Sequence, residues 1–271
     1  MNNEYAISVN NVGKTYRSRR GQENTVLRGL DFHVEPGRFV SIVGQSGSGK
    51  TTLLKTISGL QEPTEGEILV QGRPIQEGIE DIAMVFQSPV LLPWRNNLDN
   101  VLLPLEFRGA RTDEARAYAM ELLEMAGLGG KAKNYSYELS GGMQQRVAIC
   151  RALVSRPRLL LMDEPFGALD AMTRDSMNFE IQRIWQNTGC SVLFVTHSIP
   201  EAVWLGDRVV VVGDRPGRII ADIPIDLPRP RGKEHRYSAD FSDYTSEIES
   251  HIGVVAASAD HPRQAPTTVN R

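Results

Sequence analysis

Alternating apolar and polar residues open the chain, in the pattern of strands that bury one face. Tyr5, Ile7 and Val9 alternate with polar neighbours, and a second alternating stretch follows over residues 26–34 after a polar turn. Farther along, residues 159–162 and 191–196 are almost entirely apolar, which is typical of strands buried on both faces of a parallel sheet. The pattern predicts an α/β fold with an N-terminal antiparallel β subdomain and a mainly parallel sheet.

Between about residues 88 and 155 the spacing of apolar residues becomes helical. Thr112 is placed to cap a helix that carries Asp113 and Glu114 in its first turn. The apolar stripe of this helix is formed by Ala115, Ala119, Leu122, Leu123 and Ala126. We therefore expect an α-helical subdomain inserted into the α/β fold.

The composition changes after Leu227, where arginine and proline alternate in a basic segment. A weakly amphipathic stretch over residues 241–252 predicts a helix, and the Ala/Ser/Pro-rich end from Val255 predicts disorder. We divide the chain into a main domain over residues 1–230 and a partly disordered C-terminal extension over 231–271.

A glycine-rich loop follows the apolar run 39–43 and leads directly into a helix. Its residues match G-x-x-x-x-G-K-[ST] at every fixed position. Backbone N–H groups in such a loop, together with the helix N-terminus, bind a phosphate chain. Lys50 reaches the β- and γ-phosphates, and the Thr51 hydroxyl is placed to ligate Mg²⁺. The residues expected to bind nucleotide here are Gly44, Gln45, Ser46, Gly47, Ser48, Gly49, Lys50, Thr51 and Thr52. The alternative is a Gly/Ser turn that matches the motif by chance. The sequence predicts a nucleoside triphosphate site in the core of a P-loop NTPase.

Polar side chains stand where several other predicted strands end. Gln87 follows the strand 82–86, Asp163 and Glu164 end the strand 159–162, and His197 follows the strand 191–196. Ligand chemistry collects at the carboxyl ends of parallel strands. One carboxylate can lie near Mg²⁺ while the other lies near an attacking water. A solvated pair of acids and a structural histidine are the alternatives.

A second glycine segment, Ser140-Gly141-Gly142, precedes another predicted helix. It can bind an anion through N–H groups and a hydroxyl, or it can be an ordinary helix cap. Tyr16, near basic residues at the end of the first strand pair, is either a strand aromatic or a ring that stacks on adenine.

Composition narrows the functional classes. The chain has 271 residues, a net charge of −3, 41% hydrophobic residues and two cysteines, Cys150 and Cys190. The charge gives no support to a nucleic-acid partner. No apolar run is long enough to span a membrane, and the cysteines have no metal-type spacing, so we interpret them as reduced structural thiols.

The phosphate loop, Gln87, LSGGMQQR over 139–146, LLLMDEP over 159–165, GALD over 167–170 and His197 stand in one order. Together they resemble the ATP-binding subunit of an ATP-binding cassette (ABC) transporter, over Tyr5 to about Leu227. Leu92-Pro93-Trp94 and DEPFGALDAMTR are similar to importers of nitrate, sulfonate and taurine. Met143 departs from the common LSGGQ pattern, which has glutamine at this position.

The resemblance implies a role for each matching residue. Thr51, Gln87 and Asp163 would organise Mg²⁺, Glu164 would be the general base, and His197 would contact the γ-phosphate of ATP. The predicted catalytic residues are Glu164, His197, Gln87 and Lys50. Tyr16 would stack on adenine. Ser140, Gly141 and Gly142 would meet the γ-phosphate bound to a second subunit, and Asp170 would communicate across that interface.

The resemblance also implies partners and a place in the cell. Two copies would close head to tail around two ATP molecules and work with transmembrane permease subunits, and indirectly with a solute-binding protein. The chain would lie at the cytoplasmic face of the inner membrane as a peripheral subunit. A non-transport ABC ATPase that acts as a cytosolic switch is the alternative, and a different P-loop enzyme such as a kinase is a third.

Overall fold

The computed structural model describes residues 5–259. Strands in chain order are β1 (Ile7–Arg17), β2 (Glu23–Val34), β3 (Phe39–Val43), β4 (Glu65–Val70), β5 (Arg73–Pro74), β6 (Ile82–Val85), β7 (Leu159–Asp163), β8 (Ser191–Val195), β9 (Arg208–Gly213) and β10 (Arg218–Pro224). The α-helices are α1 (Lys50–Ile57), α2 (Ile75–Gly78), α3 (Asn97–Phe107), α4 (Asp113–Met125), α5 (Gly141–Leu153), α6 (Ala171–Thr188), α7 (Ile199–Leu205) and α8 (Ala239–Ala259). Short 3₁₀ turns cover Ile79–Asp81, Gly129–Lys131, Ser136–Glu138 and Lys233–Tyr237.

Two sheets form the framework. The N-terminal sheet is antiparallel, with strand order β2-β1-β4-β5. The central sheet has the order β10-β9-β3-β8-β7-β6, in which all neighbours are parallel except the β9–β10 hairpin. The predicted α/β fold, with its antiparallel β subdomain and mainly parallel sheet, is confirmed.

The central sheet is buried on both faces. Leu160 and Met162 on β7 pack into one hydrophobic cluster, while Leu159 and Leu161 on the same strand pack into the other. Because alternate side chains of a strand point to opposite faces, a strand covered on both sides needs apolar residues at every position. This is why the continuous apolar runs of the sequence became central strands.

Helices α3, α4 and α5 form the inserted helical region. Asn96, Thr112 and Ser140 cap them in order, each accepting a backbone N–H with its side chain. The predicted cap at Thr112 is therefore confirmed, and Leu122 and Leu123 of α4 are buried as the stripe predicted. Both cysteines are buried and free.

Parallel strands place their carboxyl ends at one edge of the sheet. Here β3 leads into the phosphate loop, β6 into Gln87, β7 into Glu164 and β8 into His197. Four segments that are far apart in sequence thus meet at one edge, as expected for a ligand site in an open α/β sheet.

The C-terminal segment is more ordered than the composition suggested. Arg231 is buried and donates from Nη1 to the carbonyl oxygens of Val203, Trp204 and Gly206. Phe241 and Ile248 of α8 are buried in the main cluster. The guanidinium therefore fixes the end of α7, and α8 packs beside it.

The helix in the C-terminal segment is longer than the sequence predicted. The helix expected over residues 241–252 extends over Ala239–Ala259. The rest of the disorder expected from Val255 falls on residues 260–271, which lie outside the described residues. The spacing of Ser198 and Glu201 in the sequence also fits a reciprocal capping box, of which only one half forms. Ser198 does accept the Glu201 N–H, whereas the Glu201 carboxylate accepts from the Thr196 hydroxyl instead. The division at residue 230 stays a prediction. Within residues 5–259, no helix has the length and apolar character needed to cross a bilayer.

Candidate functional site

The phosphate loop (residues 44–51) wraps around the side chain of its own lysine. Lys50 Nζ donates to the carbonyl oxygens of Gly44 and Gln45, at 2.8 Å and 2.9 Å. Burial lowers the pKa of Lys50, and the nearby charges of Glu164 and Asp163 oppose this shift. The loop is thereby held open around an ammonium group that is poised to meet phosphate oxygens.

Glycine is required in this loop for two separate reasons. A Cβ on Gly44 would lie 2.0 Å from the carbonyl oxygen of Val212 on β9, so no side chain fits there. Gly49, which precedes α1, has a φ of +91°, a region that favours glycine. The loop therefore lies tightly against β9 and turns sharply into the helix.

A cavity of about 470 Å³ opens beside the loop. Its lining residues are Val26, Ser46, Gly47, Gly49, Lys50, Thr51, Thr52, Glu164 and His197. One cavity thus contains five predicted nucleotide-binding residues of the loop, together with Thr52. The predicted base, Glu164, and the predicted γ-phosphate contact, His197, line the same cavity. The site at the sheet edge is one space rather than a set of separate features.

Glu164 and His197 contact each other directly in this cavity. His197 Nδ1 lies 2.9 Å from Glu164 Oε2. Glu164 has a φ of +43°, and its N–H donates to the carbonyl oxygen of Val195 at the end of β8. A left-handed conformation at a non-glycine residue costs on the order of 1–3 kcal/mol and is found most often at functional sites.

The predicted metal-binding residues lie close to this pair. Thr51 Oγ1 donates to Asp163 Oδ1 at 3.3 Å. Burial raises the pKa of Asp163, and the hydrogen bond from Thr51 opposes that shift. Gln87 Nε2 and Glu164 Oε2 both lie within 4 Å of where a Cβ on Gly167 would stand. The Thr51 hydroxyl lines the cavity, and the Asp163 carboxylate and the Gln87 amide lie next to its lining residues Thr51 and Glu164. Oxygen donors of these kinds suit Mg²⁺.

Other predicted site residues lie away from the cavity. Ser140 begins α5, where its hydroxyl accepts the N–H of Met143 at 3.4 Å, and neither Gly141 nor Gly142 lines the cavity. Tyr16 borders a separate surface depression, and its hydroxyl donates to Gln61. The structure brings the phosphate loop, Asp163, Glu164, His197 and Gln87 together, but not these four residues.

Contacts that the sequence did not reveal support the loop from outside. Arg215, at the tip of the β9–β10 hairpin, donates from Nη2 to the carbonyl oxygen of Ser46 at 3.0 Å. Gln45 donates through its side-chain amide to the carbonyl oxygen of Ile252 on α8. In the sequence, Arg215-Pro216-Gly217 is typical of a turn but gives no partner for Arg215, and nothing in the sequence signals the contact of Gln45.

The family model and the most similar relatives all point to the same family. The family model described as ABC transporter matches residues 27–167. The chain is 45% identical over 234 residues to an aliphatic sulfonates import ATP-binding protein, SsuB, of Pseudomonas fluorescens, covering 86% of this chain and 82% of that protein. It is also 45% identical over 242 residues to the ABC transporter ATP-binding protein MJ0412 of Methanocaldococcus jannaschii, covering 89% of each chain.

Solved structures share the fold. The dimeric structure of MJ0796, a bacterial ABC transporter cassette, has a TM-score of 0.71 at 36% identity, over 82% of this chain and all of that one. A post-hydrolysis dimer of the cassette MJ0796 bound to ADP and Pi has a TM-score of 0.70 at 35% identity, with the same coverage.

Proposed function

This chain belongs to the ABC transporter family, and from that premise we propose that it is the ATP-hydrolysing subunit of an importer for a small sulfonate or a related anion. Membership of the family makes it an ATP-binding protein and an ATPase. The observation that carries the site assignment is the single cavity that holds Lys50, Thr51, Glu164 and His197.

Lys50 and the loop amides bind the β- and γ-phosphates of ATP. The ammonium is already held at the centre of the loop by two carbonyl oxygens, so little reorganisation is needed when phosphate arrives. Thr51, Asp163 and Gln87 are the residues that would hold Mg²⁺. When bound, this ion neutralises charge that develops on the phosphate oxygens.

Glu164 accepts the proton of the attacking water, and His197 orients the Glu164 carboxylate. The 2.9 Å contact between their side chains fixes the carboxylate beside the cavity. A general base contributes typically two to four orders of magnitude to a rate, and it must lie within hydrogen-bond reach of the water. His197 also faces the position of the γ-phosphate, as the family resemblance implies.

A second copy of this chain completes the nucleotide-binding site. Ser140, Gly141 and Gly142 lie outside the cavity of their own subunit, and we assign them to the γ-phosphate bound by the partner copy. Two copies related head to tail then enclose two ATP molecules, and Tyr16 stacks on adenine. The solved cassettes described as dimeric support this arrangement. ATP holds the copies together, and hydrolysis releases them.

Transport requires partners in the membrane. The relative from Pseudomonas fluorescens is named for import of aliphatic sulfonates, and this name supports a sulfonate as cargo. We propose transmembrane permease subunits as direct partners, a solute-binding protein as an indirect one, and a peripheral position on the cytoplasmic face of the membrane.

Uptake measurements test the proposed function. Cells that lack this chain are expected to lose uptake of labelled taurine, ethanesulfonate or nitrate. The wild-type chain should restore uptake, and Glu164→Gln should not. If uptake of all three compounds is unaffected by loss of the chain, the proposed cargo is wrong.

A surface next to Gln87 is the proposed contact with the permease. Trp94 is 71% exposed, and the preceding Pro89–Val90 backbone is held by two hydrogen bonds from Arg151. Exposed aromatic residues on a fixed segment suit the docking of a partner helix.

Trp94→Asp should abolish uptake while leaving ATP binding by the isolated chain within about twofold. Phe107→Asp is the matched control, since Phe107 is 83% exposed at the far end of α3. Full uptake with Trp94→Asp would place the docking surface elsewhere.

A further inference from the structure

A buried carboxylate stands directly behind His197. Glu201 Oε2 accepts from the Thr196 hydroxyl at 2.7 Å, and the same hydroxyl oxygen accepts the N–H of Ser198 at 3.0 Å. The two neighbours of His197 in the chain are therefore both tied to this cluster. Any movement of the cluster moves the backbone that carries the imidazole.

Arg174 connects this carboxylate to a different segment of the site. Its Nε lies 3.5 Å from Glu201 Oε1, an ion-pair contact without hydrogen-bond geometry. Its Nη2 donates to the carbonyl oxygen of Leu169 at 3.0 Å. One guanidinium thus joins the segment around His197 to the segment that ends in Asp170.

Leu169 in turn packs against the start of α5. A Cβ on Gly141 would lie 3.9 Å from Leu169 Cδ2, and one on Gly142 would lie 2.5 Å from the methyl group of Thr173. Asp170 caps α6 by accepting the N–H of Thr173. The Leu169–Thr173 segment therefore lies between Arg174 and the residues assigned to the partner's ATP.

Stability alone gives a weak reason for this pair. The side chain of Glu201 is only 7% exposed and that of Arg174 is 30% exposed. Taking a carboxylate out of water carries a desolvation cost that offsets most of the attraction to its partner. A buried pair that joins two functional segments is better explained by the geometry that it imposes.

We propose that Arg174 and Glu201 act as a positioning pair that ties the His197 segment to the Leu169–Gly142 edge of the same subunit. Each subunit then couples its own ATP site, which contains His197, to the ATP site of the partner copy, which its Ser140–Gly142 segment contacts. This inference rests on the proposed dimer. It adds a physical connection between the two sites through residues that touch neither nucleotide.

A double-mutant cycle on the full chain tests the pair. Arg174→Gln and Glu201→Gln should each lower kcat about 10- to 100-fold, because small misplacements at an active site have effects of this size. The KM for ATP should stay within about threefold, since the phosphate loop is untouched. The double variant should be no slower than the slower single variant. Arg174→Lys should recover part of the loss because it keeps the charge beside Glu201.

Matched controls separate positioning from folding. Asp207 and Arg229 form another ion pair, 2.8 Å apart with both side chains 16% exposed, at the start of β3 away from the phosphate loop. Asp207→Asn and Arg229→Gln should lower the melting temperature but leave kcat unchanged. If Glu201→Gln does not fold, the partly exposed Arg174 variants give the same test. Wild-type kcat in the Arg174→Gln variant, or multiplicative losses in the double variant, would overturn the proposal.

Mixed dimers test the coupling itself. One subunit carries Glu164→Gln, with or without Glu201→Gln, and a differently tagged partner is wild type. The one competent site then takes His197 from the wild-type partner and Ser140–Gly142 from the altered subunit. We expect Glu201→Gln to slow single-turnover hydrolysis at that site about tenfold. An unchanged rate means that Glu201 acts only on its own His197 and overturns the coupling. If no mixed dimer forms, the proposed dimer fails instead, which is a different result.

Discussion

Two glycine segments precede helices in this molecule, and they differ in what surrounds them. The phosphate loop before α1 encloses a buried lysine, borders a cavity and lies beside Asp163 and Glu164. The Ser140–Gly142 segment before α5 is capped by Ser140 itself and packs against Leu169 and Thr173. The first segment has a lysine ammonium, a cavity and candidate Mg²⁺ ligands of its own, and the second offers N–H donors without them.

The difference indicates a division of labour. A helix N-terminus attracts anions through its N–H groups and its dipole, but a tight site needs further charge or enclosure. The phosphate loop has both within one chain. In the proposed dimer, the Ser140–Gly142 segment gains them from the nucleotide that the partner copy binds. We therefore expect a subunit of this kind to bind ATP alone and to hydrolyse it as a pair.

The largest expected effect separates binding from hydrolysis in the first segment. Glu164→Gln removes the proposed base but leaves Lys50 and the loop intact, so kcat should fall by about two to four orders of magnitude while ATP still binds. The variant should accumulate as an ATP-bound dimer in gel filtration. Hydrolysis near the wild-type rate would assign the base to another residue.

A smaller effect is expected from the second segment. Gly142→Ala places a methyl group against the Thr173 methyl, so the start of α5 must shift. Hydrolysis should fall about 10- to 100-fold, whereas ATP binding by the monomer should not change. Thr173→Ser removes the clashing methyl and keeps the hydroxyl that donates to Asp170. Adding it should restore part of the activity, and loss of ATP binding in Gly142→Ala would erase the contrast between the segments.

The smallest expected effect concerns the support of the phosphate loop. Arg215→Gln removes an exposed hydrogen bond to Ser46, so the KM for ATP should rise about two- to fivefold with kcat unchanged. Arg218, exposed on the same hairpin, provides the control variant Arg218→Gln. Equal effects of the two substitutions would show that only the overall charge of the hairpin matters.

How much the sequence predicted depended on the range of each interaction. The phosphate loop, the acidic pair and His197 were recognisable because each lies at the end of an apolar strand. The contacts of Arg215 with Ser46 and of Gln45 with Ile252 were not recognisable, because the two partners of each contact stand 169 and 207 positions apart along the chain. Neither residue type in itself signals a loop contact.

Glu201 shows a local rule giving way to a tertiary contact. Its spacing from Ser198 fits a capping box, yet the Thr196 hydroxyl and Arg174 compete for the same carboxylate. Arg231 shows the same limit, because an arginine in a proline-rich segment is usually exposed. Here it satisfies the carbonyl oxygens at the end of α7, a requirement that only the folded chain reveals.

Complementation between two inactive variants tests the division of labour most directly. Lys50→Ala disables the phosphate loop, and Ser140→Arg fills the exposed start of α5, so each variant alone should be inactive. Ser140→Ala is the control for loss of the cap, which costs about 1 kcal/mol. Mixing equal amounts of the two inactive variants should restore about a quarter of the wild-type ATPase activity, because half of the dimers then hold one intact site. No recovery on mixing, or efficient hydrolysis by a strictly monomeric chain, would contradict the account.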